Sequence, residues 1–163
     1  MSKDAGDSAP AAPPVAPPIA PATVERIRGS FARQSFMALL GAELTHVGHG
    51  VVEIAIARRD DLLQQHGFLH AGVLTSLLDS ACGYAALTVM DGESGVMSIE
   101  FKVNLLAPAA GDRFLVRGEV LKAGKTVVVC RGDAFALDGE RPRLIAAMQG
   151  SMMAVRNREG VRD

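Results

Sequence analysis

The residues best suited to chemistry lie close together, between Gln64 and Asp79. Asp79 is the only charged residue in the run AGVLTSLLDSACGYAALTVM at residues 71–90. An ionised carboxylate in such a segment is costly to desolvate. It is therefore either paired with a cation or a backbone amide, or retained as a general base or nucleophile. Residue type alone favours neither interpretation, so the residues upstream must decide.

The residues around the start of this run favour the chemical interpretation. His70, Ala71 and Gly72 stand where a helix over residues 71–90 begins. Amides at a helix start have no intrahelical partner, and the helix dipole favours negative charge there. The amide of Ala71 or of Gly72 can therefore bind a developing oxyanion.

Asp79 and these amides are separated along the helix. Asp79 follows the helix start by about two turns, which is about 12 Å at 1.5 Å per residue. This is too far for both groups of one chain to act easily on one carbonyl. We therefore expect a dimer in which Asp79 of one chain meets the helix start of the other.

The helix is expected to be covered on both sides. Its apolar stripe consists of Val73, Leu74, Leu77, Leu78, Ala81 and Ala85. Its opposite face consists of Thr75, Ser76, Asp79, Cys82, Gly83 and Ala86. Surface helices carry charges on the second face, whereas here that face is small and weakly polar, which favours a sheet on one side and a partner subunit on the other. A membrane span has the right length, but the Asp, Ser, Thr and Gly residues and the lack of a polybasic flank argue against it.

Composition divides the chain into one domain and two tails. Residues 1–22 are expected to be a disordered tail, because residues 8–22 (SAPAAPPVAPPIAPA) are too rich in proline for a helix. The folded domain is predicted over residues 23–156. Residues 157–163 are polar and expected to fray.

Helical and then strand-like patterns open the domain. Thr23 is a candidate helix cap, and apolar residues at helical spacing follow it. Gly29-Ser30 is a candidate break in this helix, and Gly41 is its candidate end. A hairpin is predicted next, with strands over residues 42–46 and 51–58 joined by a Gly-His-Gly turn.

The second half of the domain reads as successive strands. One face of the first strand is predicted to carry Met97, Ile99, Phe101, Val103 and Leu105, and the other Ser98, Glu100, Lys102 and Asn104. Turn residues separate it from further runs that end with residues 126–136 and 144–155. Short turns require antiparallel pairing, so the predicted fold class is α+β, with one antiparallel sheet against one long helix.

The bulk composition limits the function. The 163 residues are 48% hydrophobic with a formal net charge of -1, which fits a globular domain and argues against a nucleic-acid surface. The two cysteines show no zinc-ligand spacing, and neither a P-loop nor a GxGxxG motif is present. The N-terminus has no signal-peptide pattern, so a reducing cytoplasm is the expected location.

The combined pattern resembles the hotdog-fold thioesterases of the phenylacetate-pathway and 4-hydroxybenzoyl-CoA type. Their signature places Asn or Gln six residues before a His-Gly-Gly motif, and Asp or Glu nine residues after that histidine. Gln64, His70 and Asp79 keep these spacings. The segment SACGYA after Asp79 and the run IEFKVNLLAP at residues 99–108 are also similar, and the likeness extends over residues 40–155.

This resemblance implies an activity and a role for each residue. The fold is an antiparallel sheet wrapped around one long central helix, and the reaction is hydrolysis of an aryl- or medium-chain acyl-CoA to the free acid and CoA. Asp79 acts as a base toward water or as a nucleophile through a mixed anhydride. Gln64 positions the water or the thioester carbonyl, and His70 shapes the loop. The amide of Ala71 or Gly72 holds the oxyanion; the family has glycine where Ala71 stands, but the backbone amide survives.

The resemblance also implies partners. The site lies in a homodimer, which is expected to assemble into a homotetramer, and no cofactor is needed because CoA is part of the substrate. Cations are expected to bind the CoA phosphates. Lys122 and Lys125 are the first candidates, with Arg58 and Arg59 behind them, although an ordinary solvated charge is an equal interpretation for each.

Other reactive side chains have simpler structural interpretations. His66 is interpreted as a loop hydrogen-bonding residue, and Cys82 and Cys130 as packing residues whose surroundings do not favour a thiolate. The methionines near the C-terminus fill gaps in the core or line an acyl pocket.

Two other functions stay open at this point. A hotdog dehydratase or hydratase would use His70 or His66 with Asp79 as an acid–base pair, but the Pro-rich segment around the histidine of such enzymes is absent. A non-catalytic acyl-CoA-binding module would have no reason to keep a costly carboxylate beside the thioester.

Overall fold

The computed structural model describes residues 17–138 and 141–156. A single 3-10 turn, Asp60–Leu62, separates the first two strands from the long helix. The helices are α1 (Pro21–Arg33), α2 (Ser35–Leu40) and α3 (Ala71–Leu87). The strands are β1 (Glu43–Gly48), β2 (Val51–Ala57), β3 (Gly95–Leu105), β4 (Arg113–Ala123), β5 (Val127–Ala136) and β6 (Arg143–Val155). Residues 1–16 of the tail predicted over residues 1–22, and the whole tail predicted over residues 157–163, lie outside the described residues. Pro21 and Ala22, the last two residues of the predicted N-terminal tail, belong instead to the first turn of α1.

All six strands form one antiparallel sheet around α3. The strand order is β1-β2-β4-β5-β6-β3, so β1 and β3 are the edges. α3 contacts β2, β3, β4, β5 and β6 along its length. This arrangement confirms the predicted α+β class, with one sheet wrapped around one long helix.

The sheet buries more of α3 than the sequence pattern predicts. Cys82 and Ala86, which the pattern placed opposite the apolar stripe, are fully buried in the core with the sheet. A curved sheet reaches around the helix and covers part of its second face. The half-buried strip that is left comprises Thr75, Ser76, Asp79, Ser80 and Gly83. α3 also ends at Leu87 rather than at residue 90.

Glycines in the sheet let α3 approach its backbone closely. Gly118 of β4 pairs with Gly132 of β5. A Cβ added at Gly118 would lie 2.4 Å from the backbone C and O atoms of Ala81, and one at Gly132 would lie 2.9 Å from Leu78 Cδ2. The depth at which α3 sits, and therefore the position of its polar strip, depends on these glycines.

The substitution Gly118→Ala is expected to lower the free energy of unfolding by about 3 kcal/mol, because the obstacle is backbone and cannot rotate away. The corresponding fall in Tm is about 10 °C. Gly92→Ala is a matched control, since nothing lies within 4 Å of its added Cβ. Equal melting temperatures for the two variants in a thermal scan would contradict this account of the packing.

The N-terminal helices differ from the prediction in where they begin and break. α1 begins at Pro21, because proline is tolerated in the first turn, where its missing amide has no intrahelical partner. Thr23 therefore lies inside the helix and is not its cap. The helix continues through Gly29 and breaks at Gln34, which has extended geometry (φ -76°, ψ 95°). Gly41 ends α2 in the left-handed conformation with φ 67°, as predicted.

A β-bulge changes which side chains of β3 share a face. Pairing with β6 shifts between Ser98 and Glu100, so the side-chain alternation changes phase at Ile99. Met97 lies opposite the exposed Met153, whereas Ser98 lies opposite the buried Met152. The prediction that Met97 shares a face with Phe101, and Ser98 with Glu100, is therefore wrong.

The predicted hairpin is confirmed, with β1 and β2 joined at His49 and Gly50. Val52, Ile54 and Ile56 are fully buried, as their alternation predicts. Within the ranges that the structure describes, no helix combines the length and apolar character needed to cross a membrane.

Candidate active site

His70 caps the start of α3 and binds one of the two candidate amides. It has extended geometry (φ -63°, ψ 135°), and its Nδ1 accepts a hydrogen bond from the Gly72 amide at 2.9 Å. A neutral ring that accepts at Nδ1 carries its proton on Nε2. Among the described residues, no acceptor faces the Ala71 amide. Ala71 is therefore the better placed of the two amides to receive an oxyanion.

Gln64 sits in a tight loop that orients its carboxamide. The loop is closed by a bridge between Leu63 and Leu69 and turns at Gly67, whose φ is 82°. Gln64 Oε1 accepts from the His66 amide at 2.5 Å. Because the oxygen end is bound within the loop, the Nε2 end is the part of Gln64 able to donate to a substrate. The His66 ring bonds only to the exposed Gln65 side chain among the described residues, which fits its interpretation as a loop residue.

An apolar cavity lies beside Gln64 and the start of α3. Its volume is about 450 Å³. The residues that line it are Gln64, Phe68, Leu69, Ala71, Leu74, Leu105, Leu106, Ala107, Pro108 and Ala109. Gln64 is the one polar side chain in this set, and no charged residue belongs to it. The cavity therefore suits an uncharged, largely apolar group.

Asp79 has a partner that the sequence did not reveal. Ser98 Oγ donates to Asp79 Oδ1 at 2.6 Å, and it also lies 3.3 Å from Met152 Sδ. Only the bulge at Ile99 turns Ser98 toward α3, and nothing in the alternating pattern of β3 signals a bulge there. The bond fixes the position of Oδ1 and leaves Oδ2 available to accept a proton or to act as a nucleophile.

Asp79 lines a second, smaller recess of about 260 Å³. Its lining comprises Gln34, Asp79, Ser80, Gly83, Tyr84, Val96 and Ser98. This recess shares no residue with the apolar cavity at the helix start. In one protomer the carboxylate and the Ala71 amide therefore belong to separate sites, as the spacing along α3 predicts.

The four candidate phosphate-binding cations do not line either cavity. Arg58 pairs with Asp60 at 2.9 Å, and Arg59 with Asp61 at 2.5 Å. Lys122 and Lys125 lie exposed around the β4–β5 turn. A role for any of the four in binding CoA stays a prediction.

The cysteines have the properties of core residues. Burial raises the pKa of the Cys82 thiol far above its usual value and that of Cys130 to about 12. Cys130 Sγ lies 3.5 Å from the carbonyl oxygen of Cys82. A thiolate is the nucleophilic form of cysteine, so neither residue is suited to nucleophilic catalysis.

Sequence comparisons connect the chain to esterases and thioesterases. A family model described as thioesterase superfamily matches residues 66–142. The medium/long-chain acyl-CoA thioesterase YigI of Escherichia coli is 27% identical over 133 residues, covering 72% of this chain and 84% of that protein. A "putative esterase" of Saccharolobus solfataricus is 37% identical over 93 residues, covering 57% of this chain and 64% of that protein, slightly less than two thirds of its length.

Solved structures of thioesterase family proteins share the fold of this chain. A thioesterase family protein from Silicibacter pomeroyi is 46% identical, with a TM-score of 0.81, and the match covers 83% of this chain and 99% of that one. The Escherichia coli PaaI protein from the phenylacetic acid degradation operon shares the fold at 19% identity, with a TM-score of 0.73 and coverage of 82% and 93%.

Proposed function

Because the chain belongs to the thioesterase superfamily, a family of thioester hydrolases, we propose that it hydrolyses an acyl-CoA to the free acid and CoA. One observation carries the proposal. A carboxylate held by Ser98 lies on the same helix whose first amide, at Ala71, has no acceptor among the described residues. Thioester hydrolysis needs both a group that activates water and a donor for the oxyanion.

The roles of the residues follow from their contacts. Asp79 takes a proton from water or attacks the thioester carbon itself. The Ala71 amide donates to the carbonyl oxygen, where negative charge develops. Gln64 Nε2 donates to the thioester from the adjoining loop. His70 caps α3 through the Gly72 amide and so fixes the orientation of the neighbouring Ala71 amide.

A second copy of the chain would complete the site. β3 is an 11-residue strand at the edge of the sheet, with no strand paired to its outer side among the described residues. Its apolar side chains are unusually exposed, with Ile99 53%, Phe101 42% and Leu105 58% accessible. A long apolar edge strand favours pairing with another strand. We propose a homodimer through this edge, with Asp79 of one protomer beside the Ala71 amide of its partner; two such dimers would form the proposed homotetramer.

The lining of the larger cavity favours an uncharged acyl group. Phe68, Leu74, Leu105 and Leu106 form its walls, and no lysine or arginine is among its lining residues. A free carboxylate at the end of the acyl chain would be buried there without a cation, at a considerable cost. Aryl and medium-chain acyl groups are therefore the proposed substrates.

A dehydratase or hydratase has less support. That chemistry would need a histidine as the partner of Asp79, and His70 Nδ1 is occupied by the helix cap instead. His66 is bound within its exposed loop and lines neither cavity.

The proposal is tested with a panel of acyl-CoA substrates and a thiol reagent that detects free CoA. We expect turnover of medium-chain and aryl substrates, with kcat/KM at least about tenfold above that of malonyl- or succinyl-CoA, because one buried unpaired charge costs more than 1.4 kcal/mol. Enoyl-CoA hydration without thiol release would favour the hydratase. Binding of acyl-CoA with neither reaction would favour the passive module.

A further inference from the structure

The recess around Asp79 differs in character from the apolar cavity. Five of its seven lining residues carry polar side chains: Gln34, Asp79, Ser80, Tyr84 and Ser98. Its volume of about 260 Å³ is several times the volume that one water molecule occupies in the liquid, about 30 Å³. An acyl chain would find few apolar contacts here, whereas water would find several hydrogen-bonding groups. The recess therefore suits the second substrate of the reaction, water.

Gln34 reaches this recess because the N-terminal helix is broken. It is the single residue between α1 and α2, and its backbone amide donates to Phe31 O at 3.0 Å. Its side chain lines the recess, where Ser80 Oγ donates to Gln34 Oε1 at 3.5 Å. The oxygen end of the carboxamide is therefore bound, which leaves the Nε2 end to donate to a molecule in the recess that Asp79 also lines.

Independent contacts fix α1 against α3 and keep Gln34 in place. Ser30 Oγ lies 3.3 Å from Tyr84 Oη, and the rings of Phe31 and Tyr84 meet edge to face at 5.8 Å. Arg26 donates to the carbonyl of Asp91, beyond the end of α3, at 3.0 Å. α1 and Gln34 both precede the region that the family model matches, residues 66–142.

We infer that Gln34 is a positioning residue that holds the hydrolytic water against Asp79. In this step Asp79 takes a proton from water as the water oxygen bonds to the thioester carbon. The carbon–sulfur bond then breaks, and the departing CoA thiolate takes up the proton that Asp79 accepted, which restores the carboxylate. Gln34 Nε2 donates to the lone pair of water that does not attack. The inference rests on the proposed thioesterase activity. It adds that Gln34 is the second residue, besides Asp79, that contacts the attacking water.

The first test is Gln34→Leu, assayed by thiol release with the best substrate of the panel. We expect kcat to fall about tenfold to a hundredfold with KM within about twofold of the wild type, because the water is misplaced while the acyl-CoA contacts remain. Ser30→Ala is the matched control: it removes the hydrogen bond between Ser30 of α1 and Tyr84 of α3 but leaves Gln34 Nε2 as the donor in the recess. We expect this control to retain wild-type kcat.

The second test is Gln34→Glu, which keeps an acceptor for Ser80 but places a negative charge beside Asp79. Among the residues lining the recess, the titratable groups are Asp79 and Tyr84. The lining residues from β3, Val96 and Ser98, have no titratable side chain, and Cys82 is buried nearby on α3. A like charge disfavours ionisation of a neighbouring carboxyl group. The acid limb of the kcat–pH profile of Gln34→Glu is therefore expected to lie about one pH unit higher than that of the wild type.

These outcomes separate the inference from the proposed function. If the wild-type protein releases no thiol from any substrate, the proposed function fails and the inference with it. If the wild type is active and Gln34→Leu keeps its kcat, or Gln34→Glu leaves the acid limb unmoved, only the role of Gln34 is overturned. A loss of kcat in Ser30→Ala equal to that in Gln34→Leu would show that loosened helix packing is the cause.

Discussion

Replacing Asp79 with asparagine is expected to lower kcat for acyl-CoA hydrolysis by about 10²–10⁴-fold, or about 3–5 kcal/mol in the activation barrier. Asparagine has nearly the same size and shape, but it can neither accept a proton from water nor act as a nucleophile. Its Oδ1 can still accept from Ser98 Oγ, which lies 2.6 Å from the Asp79 oxygen. We therefore expect the same Tm and the same oligomeric state as the wild type, with the loss confined to turnover under saturating substrate.

A control and an isotope experiment complete this test. Glu25→Gln neutralises an exposed carboxylate on α1, away from both cavities, and is expected to keep wild-type kcat. A single turnover in ¹⁸O-labelled water distinguishes direct attack by water, which puts the label into the acid, from a mixed anhydride that is hydrolysed at the Asp79 carboxyl carbon, which gives the acid an oxygen of Asp79 and leaves the label on Asp79. If Asp79→Asn turns over at the wild-type rate, the assignment of Asp79 is wrong.

The parts of the site that the sequence predicts are those that depend on local spacing. Asp79 is recognisable because it is a lone charge in an otherwise uncharged helix. The apolar length of residues 71–90 and the polar residues before it place the start of α3 correctly. Alternation identifies β3 as a strand, but its place at the edge of the sheet is known only from the structure. The fold class follows from the order of these elements.

The parts that the sequence does not predict depend on where single side chains point in three dimensions. The spacing alone cannot decide between the Ala71 and Gly72 amides, because the choice depends on His70 Nδ1 binding one of them. Ser98 joins Asp79 only through a bulge, which shifts the alternation by one residue. Gln34 enters the recess because α1 breaks there instead of at Gly29. The last two are changes of backbone geometry at one residue, and the first is the choice of a single hydrogen-bond partner.

The substitution Ala71→Pro is expected to lower kcat by about 10²–10³-fold, the usual effect of losing one oxyanion donor. Ala71 is the first residue of α3, where proline fits because its absent amide has no intrahelical partner. His70 already has the extended geometry that a residue before proline requires. The substitution therefore removes one N–H group and should leave the helix and the cap on Gly72 intact, which circular dichroism and Tm can check. Ala71→Gly keeps the amide and is expected to keep the activity; an active Ala71→Pro variant would show that another group holds the oxyanion.

The same two variants test whether the site is shared between protomers. In a mixed dimer of Asp79→Asn and Ala71→Pro chains, one of the two sites carries both substitutions and the other carries neither. Random exchange of subunits makes about half of the dimers mixed, so a 1:1 mixture should recover about a quarter of wild-type activity although each variant alone is nearly inactive. Recovery should appear only after the chains are unfolded and refolded together or given time to exchange. A mixture that stays as inactive as its components, with mixed dimers shown by native mass spectrometry, would place Asp79 and the Ala71 amide of one site in the same chain. Without a partner, the separation of about 12 Å along α3 leaves no single position from which a thioester reaches both groups.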